Sequence, residues 1–98
     1  MFTGLIEYVG TFVSLSASGT YSRLTVRAPS FAGALTRGQS VAVSGACLTV
    51  ASCGDDSFSV DVMYETLAKT KFRSLRPGAR LNLEVDLLAR YVQRALHG

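Results

Sequence analysis

The residues best equipped for chemistry gather between Ser40 and Thr70, in the runs SVAVSGACLTV and FSVDVMYETLAKT. In both runs small or polar side chains stand where packing alone would favour Val and Ile. Cys47 carries the most nucleophilic group of the stretch if something nearby lowers its pKa; without that it is a small packing residue. On an extended chain Thr49 places a hydroxyl on the same face, two residues further on. Asp61 follows in the second run, and Glu65 and Thr66 after it suit either the capping of a short helix or contact with ligand hydroxyls. Near the end, Asp86 precedes an amphipathic tail and suits its N-cap. His97 lies one residue from the terminus and reads as a frayed terminal side chain. The Ser40–Thr70 stretch is therefore expected to form the floor and rim of a small-molecule site.

The elements that must position these groups are mostly strands. Phe2–Leu15 reads as a first strand, with apolar residues on both parities, and Ser16–Thr20 as a turn. Tyr21–Ala28 alternates Leu24 and Val26 with Arg23, Thr25 and Arg27, a half-buried strand that Pro29 ends. Ser30–Thr36 suits a short helical turn. The central run from Ser40 places Val41, Val43, Cys47, Thr49 and Ala51 on one parity, with Gly45 in its middle predicting a bulge or a close backbone approach. Phe58–Met63 alternates cleanly, and Glu65–Lys71 predicts one or two helical turns. Arg76-Pro77-Gly78 marks a turn, and Ala79–Val85 a last strand. In the tail, Leu88, Tyr91, Val92, Ala95 and Leu96 make a helical stripe. About six short strands with few helices predict an all-β, six-stranded antiparallel Greek-key barrel with short helical turns and a C-terminal helix. The whole of 1–98 is expected to be one domain, the barrel over about 1–85 and the helix over about 86–96.

Composition narrows the function classes. With 98 residues, 48% of them hydrophobic, the chain can build one modest core. No run approaches the roughly 18–20 apolar residues of a membrane span. The opening MFTGLIEYVG lacks a basic n-region and a long apolar core, so no secretory signal is expected and a cytoplasmic location is. Cys47 and Cys53, on one strand and roughly 20 Å apart, are expected to stay reduced thiols. Two Cys and one His without ligand-like spacing predict no metal site. The net charge of +3 is concentrated after Glu65, but its Lys and Arg residues stand singly, without interleaved aromatics, which argues against nucleic acid as a partner. A six-stranded barrel is too slim for an internal chamber, so a ligand must lie on the outside or at a rim. Deep burial there needs a second chain, and the striped tail is a candidate contact surface.

Four segments carry a resemblance. MFTGLIEYVGT, GQSVAVSGACLTV, FSVDVMYETLAKT and RPGARLNLEVDLLARYV follow, in order, the blocks of the lumazine-binding barrel of riboflavin synthase. The resemblance covers nearly the whole chain. It implies ligand contacts at Gly4, Leu5 and Ile6, at Cys47, Leu48 and Thr49, and at Asp61, Val62, Met63, Tyr64, Glu65 and Thr66. It further implies functional roles for Cys47 and Asp86. The family's enzymes carry two barrels in a chain about twice this long; this chain opens like the first barrel and closes, through Asp86 and the tail, like the second. Ser44, Tyr64 and Lys71-Phe72-Arg73 depart from the family's usual Asn, Pro and Thr/Asn-Leu-Gly. The implied activity is the dismutation of two 6,7-dimethyl-8-ribityllumazine molecules to riboflavin and a ribitylamino-pyrimidinedione, between barrels of a homo-oligomeric dimer or trimer and without a cofactor. The alternatives are a barrel that binds lumazine, riboflavin or FMN without turnover, and an excised or engineered single domain.

Overall fold

The computed structural model describes the backbone of residues 5–86 and the side chains of residues 7–85. Six strands close into an antiparallel barrel: β1 (Leu5–Ser18), β2 (Tyr21–Arg27), β3 (Ser40–Val43), β4 (Ala46–Cys53), β5 (Ser57–Met63) and β6 (Arg80–Asp86). Their order around the barrel is β1-β2-β5-β4-β3-β6. Strands β3, β4 and β5 are successive antiparallel neighbours and β6 returns to lie beside β3, which is the Greek-key arrangement.

The long first strand closes the barrel by serving two neighbours. Its first half, Leu5–Thr11, pairs with β6, and its second half, Thr11–Ser18, pairs with β2 through a bulge between Phe12 and Ser14. The bend between the halves passes close over the interior, and Gly10 is what lets it. A Cβ there would stand 2.8 Å from Leu83 Cδ1, 2.9 Å from Val26 Cγ1 and 3.0 Å from the Arg27 carbonyl oxygen.

Inward-facing branched residues fill the barrel. Leu24, Val26, Val43, Val60, Val62 and Leu83 are fully buried, and Val41, Val50 and Phe58 nearly so. A barrel of this girth has its interior occupied by its own side chains, which leaves a ligand the outside. One end is stoppered by a 3-10 turn, Ala32–Ala34, where Phe31 packs its ring 5.9 Å from that of Phe58. The other end is covered by the helix α1 (Tyr64–Lys69) and a second 3-10 turn, Phe72–Ser74, through Leu67 and Phe72.

Three expectations are corrected. Ser16–Ser18 belong to β1, paired with Arg23–Tyr21, and only Gly19 (φ 69°) and Thr20 turn the chain. The central run is two strands, not one interrupted by a bulge. Ser44 (φ 48°) and Gly45 (φ 90°) make a two-residue hairpin turn in the left-handed region, the geometry that matches the twist of paired strands. Because two residues are spent on the turn, the inward parity changes: Val41 and Val43 point inward before it, Leu48 and Val50 after it. Finally, Glu65 and Thr66 do not cap α1, whose N-cap position is Met63 with no side-chain hydrogen bond. The helix expected over 86–96 lies outside the described residues, save for Asp86, which ends β6.

Candidate functional site

The hairpin turn decides where the chemistry-bearing residues point. Cys47 and Thr49, sharing a parity with inward residues only if the run were a single strand, instead lie on the outer face of β4 and are exposed. Beside them, β5 turns Asp61 and Met63 to the same face, with Thr49 directly opposite Asp61. On the far side of β5, Arg23 faces Asp61 and Tyr21 faces Met63. On the far side of β4, Ala42 faces Cys47 and Ser40 faces Thr49. Four residues anticipated from the sequence thus form one patch across two neighbouring strands.

The backbone of this patch is partly open. The β4–β5 ladder runs from Cys53↔Phe58 to Thr49↔Asp61 and stops there. Both strands continue, β4 to Ala46 against β3 and β5 to Met63 against β2. A two-residue hairpin exchanges hydrogen bonds between its flanking residues, Val43 and Ala46, and alternation along β4 then aims the N–H and C=O of Cys47 toward β5. Met63 would be the partner of Cys47 in a continued ladder, but the strands have parted before reaching it. The N–H and C=O of Cys47 and the N–H of Met63 thus lie beyond the end of the ladder and can meet a ligand with amide-like edges, whereas the Met63 carbonyl, at the N-cap of α1, accepts the first hydrogen bond of that helix. Leu48 and Val62, also anticipated as contacts, turn their side chains into the core and pair along the backbone with Val41 and Ser22, so they support the patch from beneath.

Apolar surface borders the open edge. Met63 is 53% exposed and Tyr64, the first residue of α1, 66% exposed. The Arg73 guanidinium carbon lies 5.6 Å from the centre of the Tyr64 ring. Between α1 and the β1–β2 hairpin lies a groove of about 360 Å³ lined by Leu15, Tyr21, Tyr64, Leu67 and Arg73 among others. Glu65 is exposed and Thr66 half-buried on the same helix, leading directly from Met63.

One charged contact fixes the patch. Arg23 donates from Nε (3.0 Å) and from its terminal nitrogen (2.8 Å) to Oδ1 of Asp61. This leaves Oδ2 of Asp61 free of the guanidinium. Asp61 in turn raises the Arg23 pKa above its ordinary value, first by accepting those hydrogen bonds and then by its charge. Arg23, Tyr21 and Ser40 are site residues that the sequence reading missed. Arg23 was legible only as part of the wet face of its strand, and nothing in the linear order announces that β2 lies beside β5.

The remaining anticipated residues lie elsewhere. Leu5 pairs with Asp86, and Ile6 with Val85, across β1 and β6. That pair is separated from Thr49 by β3, which meets β6 only at Ala42↔Glu84 and Val43↔Leu83. Gly4 lies outside the described residues. Cys47 and Cys53 are both free and exposed, so neither is a packing residue.

The described residues thus make a filled Greek-key barrel with a hydroxyl, a thiol and a carboxylate on the outer faces of β4 and β5, beside the end of their ladder. The chain belongs to the lumazine binding domain family, which it matches over residues 3–86. It is 44% identical over 85 residues to a riboflavin synthase from Mycobacterium bovis, covering 86% of this chain and 42% of that enzyme. Among solved structures it is similar to LumP complexed with flavin mononucleotide, with a TM-score of 0.72 and 28% identity over 87% of this chain and 49% of that one. It is similar also to LumP complexed with 6,7-dimethyl-8-(1'-D-ribityl) lumazine, with a TM-score of 0.69 and 28% identity over 88% and 48% of the two chains. The chain spans less than half the length of the riboflavin synthases it matches.

Proposed function

We propose that this barrel binds 6,7-dimethyl-8-ribityllumazine on its outer face and, together with a second barrel, dismutates two such molecules to riboflavin and a ribitylamino-pyrimidinedione. The observation that carries the reading is the parted edge between β4 and β5. The main-chain groups of Cys47 and the N–H of Met63, beside the Thr49 hydroxyl, suit the amide-like rim of a pteridine without needing a charged side chain. Similarity to riboflavin synthases supports the choice of ligand and reaction.

A ring laid against this patch keeps its other face toward solvent, because the outer side of a single barrel has no opposite wall. A second barrel of another copy supplies that wall and brings a second lumazine against the first. A homo-oligomer, dimer or trimer, is therefore part of the proposal. In the reaction a four-carbon unit leaves one lumazine and joins the other; the atoms of the two substrates account for both products, and no cofactor takes part. The methyl group at C7 is itself acidic, so the protein's task is to hold two rings in register, pass protons and exclude water. Cys47 is proposed as the nucleophile or proton donor beside the ring, Thr49 as a hydrogen-bonding hydroxyl, and Asp86 as a functional carboxylate. Glu65 and Thr66 face the ribityl arm.

The test is turnover: purified chain incubated with the lumazine is followed by the appearance of riboflavin absorbance and fluorescence. Production of riboflavin supports the dismutase reading. A second reading, ligand binding without turnover, is favoured by Tyr64, whose ring with Arg73 occupies the position where the family usually has Pro. Tight binding of lumazine or riboflavin with no product would select it.

A further inference from the structure

On the far side of α1 from the Tyr64 groove lies a second cleft of about 360 Å³, between the carbonyl end of the helix, the Ser44 turn and the start of β6. Lys69, Lys71 and Arg80 line it, with Ser44 and Thr70 supplying hydroxyls and Phe72 part of an apolar floor. No acidic side chain lines it. Among the described residues the only ion pair is Arg23–Asp61, so none of the three cations has a carboxylate within salt-bridge distance there. The carbonyl end of α1 accounts for Lys69, whose charge complements the helix dipole. It does not account for Lys71 or Arg80, which lie beyond that helix.

A second observation comes from Thr70. Its Oγ1 is buried and has no hydrogen-bond partner among the described residues. A buried hydroxyl without a partner is destabilising unless something fills its hydrogen-bonding capacity. Two ammonium groups, a guanidinium and the hydroxyls of Thr70 and Ser44 form a cationic, donor-rich environment suited to a small oxyanion with several acceptor oxygens.

The position of the cleft relative to the ring patch gives the anion a carrier. Ser44 is three residues before Cys47, and the six-residue α1 joins Met63 to Lys69–Lys71 over about 9 Å at about 1.5 Å per residue. A five-carbon polyol arm ending in phosphate is of that length. We propose that the cleft binds a phosphate monoester, and that on a flavin held at the Thr49–Met63 patch this makes the barrel favour the phosphorylated ribityl chain over the free alcohol. The carrier part of this inference rests on the ring-binding reading above; the anion site itself does not.

The experiment uses the whole chain and three probes: riboflavin, FMN and inorganic phosphate. Flavin binding is read by fluorescence titration at low and high salt, and phosphate binding by amide chemical shifts in the Ser44, Thr70 and Lys71 segments. FMN is expected to bind at least tenfold more tightly than riboflavin at low salt, with the margin shrinking as salt rises. Lys71→Gln combined with Arg80→Gln should bring FMN down to the riboflavin level while changing riboflavin affinity less than twofold. Thr70→Val should also weaken FMN without lowering thermal stability, since it removes a hydroxyl that nothing in the described structure pairs. Equal affinity for the two flavins, together with no phosphate-induced shifts, overturns the proposal. If neither flavin binds, the ring reading fails on its own, and phosphate shifts abolished by the double substitution would establish the site with free phosphate as occupant. Shifts that persist in the double variant overturn it.

Discussion

Replacing Met63 by Ala tests the ring patch most directly, because the side chain is largely idle in the free barrel. Full burial of a Met side chain is worth about 1.5–3 kcal/mol. In this structure 53% of Met63 is still exposed, so about half of that, roughly 0.8–1.6 kcal/mol, remains to be gained when a ligand covers it. Removing the side chain should then weaken riboflavin by about 4- to 14-fold, at 1.4 kcal/mol per factor of ten. The fold should hardly notice, since exposed substitutions usually change stability by about 0.5 kcal/mol or less. Val13→Ala is the matched control: an apolar side chain of similar exposure, 42%, on a different strand and away from the patch. The assay is titration of riboflavin with each variant, followed by flavin fluorescence, beside a thermal melt. If Met63→Ala binds within twofold of the parent while Val13→Ala binds more weakly, the ligand lies on the β1 face and the patch is misassigned.

Four further outcomes are expected. Gly10→Ala places a methyl at or below 3.0 Å from three neighbours, two of them core side chains, and should cost about 1–3 kcal/mol, read as a drop in melting temperature of about 4–8 °C per kcal/mol. Arg23→Gln frees Asp61 and should alter ligand affinity while leaving thermal stability nearly unchanged, the pair being about 40% exposed on both sides. Because Asp61 raises the Arg23 pKa, that contact is fully present below the ordinary arginine value and is lost only as pH climbs through the raised one; riboflavin affinity should therefore show no arginine-linked step between about pH 6 and pH 9. Cys47→Ser and Asp86→Asn, each depressed in riboflavin formation, should partly restore it when mixed and re-equilibrated if the two residues serve one reaction from different copies. A mixture no more active than the mean of its parts would place both roles in one chain, or in neither residue.

Much of the barrel can be read from the chain because its inner residues alternate without interruption. Leu24 and Val26 in β2, Phe58, Val60 and Val62 in β5, and Leu81, Leu83 and Val85 in β6 all stand inward where alternation puts them. The central hairpin is harder because apolar residues continue on both sides of Ser44-Gly45. Yet the inward set changes from odd to even positions there, from Val41 and Val43 to Leu48 and Val50, and a slip of parity beside a Ser-Gly pair is what a two-residue turn leaves behind. Ser16–Ser18 misled for the opposite reason: the hairpin they extend is largely exposed, so no buried alternation marks them as strand. The four members of the patch were legible as types and spacings. Arg23 was not, because its contact with Asp61 spans 38 positions and depends on β5 docking beside β2 rather than beside β6.

Two features, a filled interior and a ladder that stops early, together favour the rim of β4 and β5 as the place for the proposed site. Continuing the β4–β5 pairing past Thr49↔Asp61 would engage the main-chain groups of Cys47 and the N–H of Met63 internally and leave a flat sheet with nothing to offer an amide edge. Opening the barrel to make a chamber would instead empty a core in which seven residues have no exposure at all. Parting two strands at one rim avoids both costs: the core stays packed beneath Leu48 and Val62, while their neighbours present main-chain donors and acceptors outward. A ligand at the proposed patch would be held by one face only. Met63 and Tyr64, apolar and mostly exposed beside that edge, are the surface left for a second body to cover.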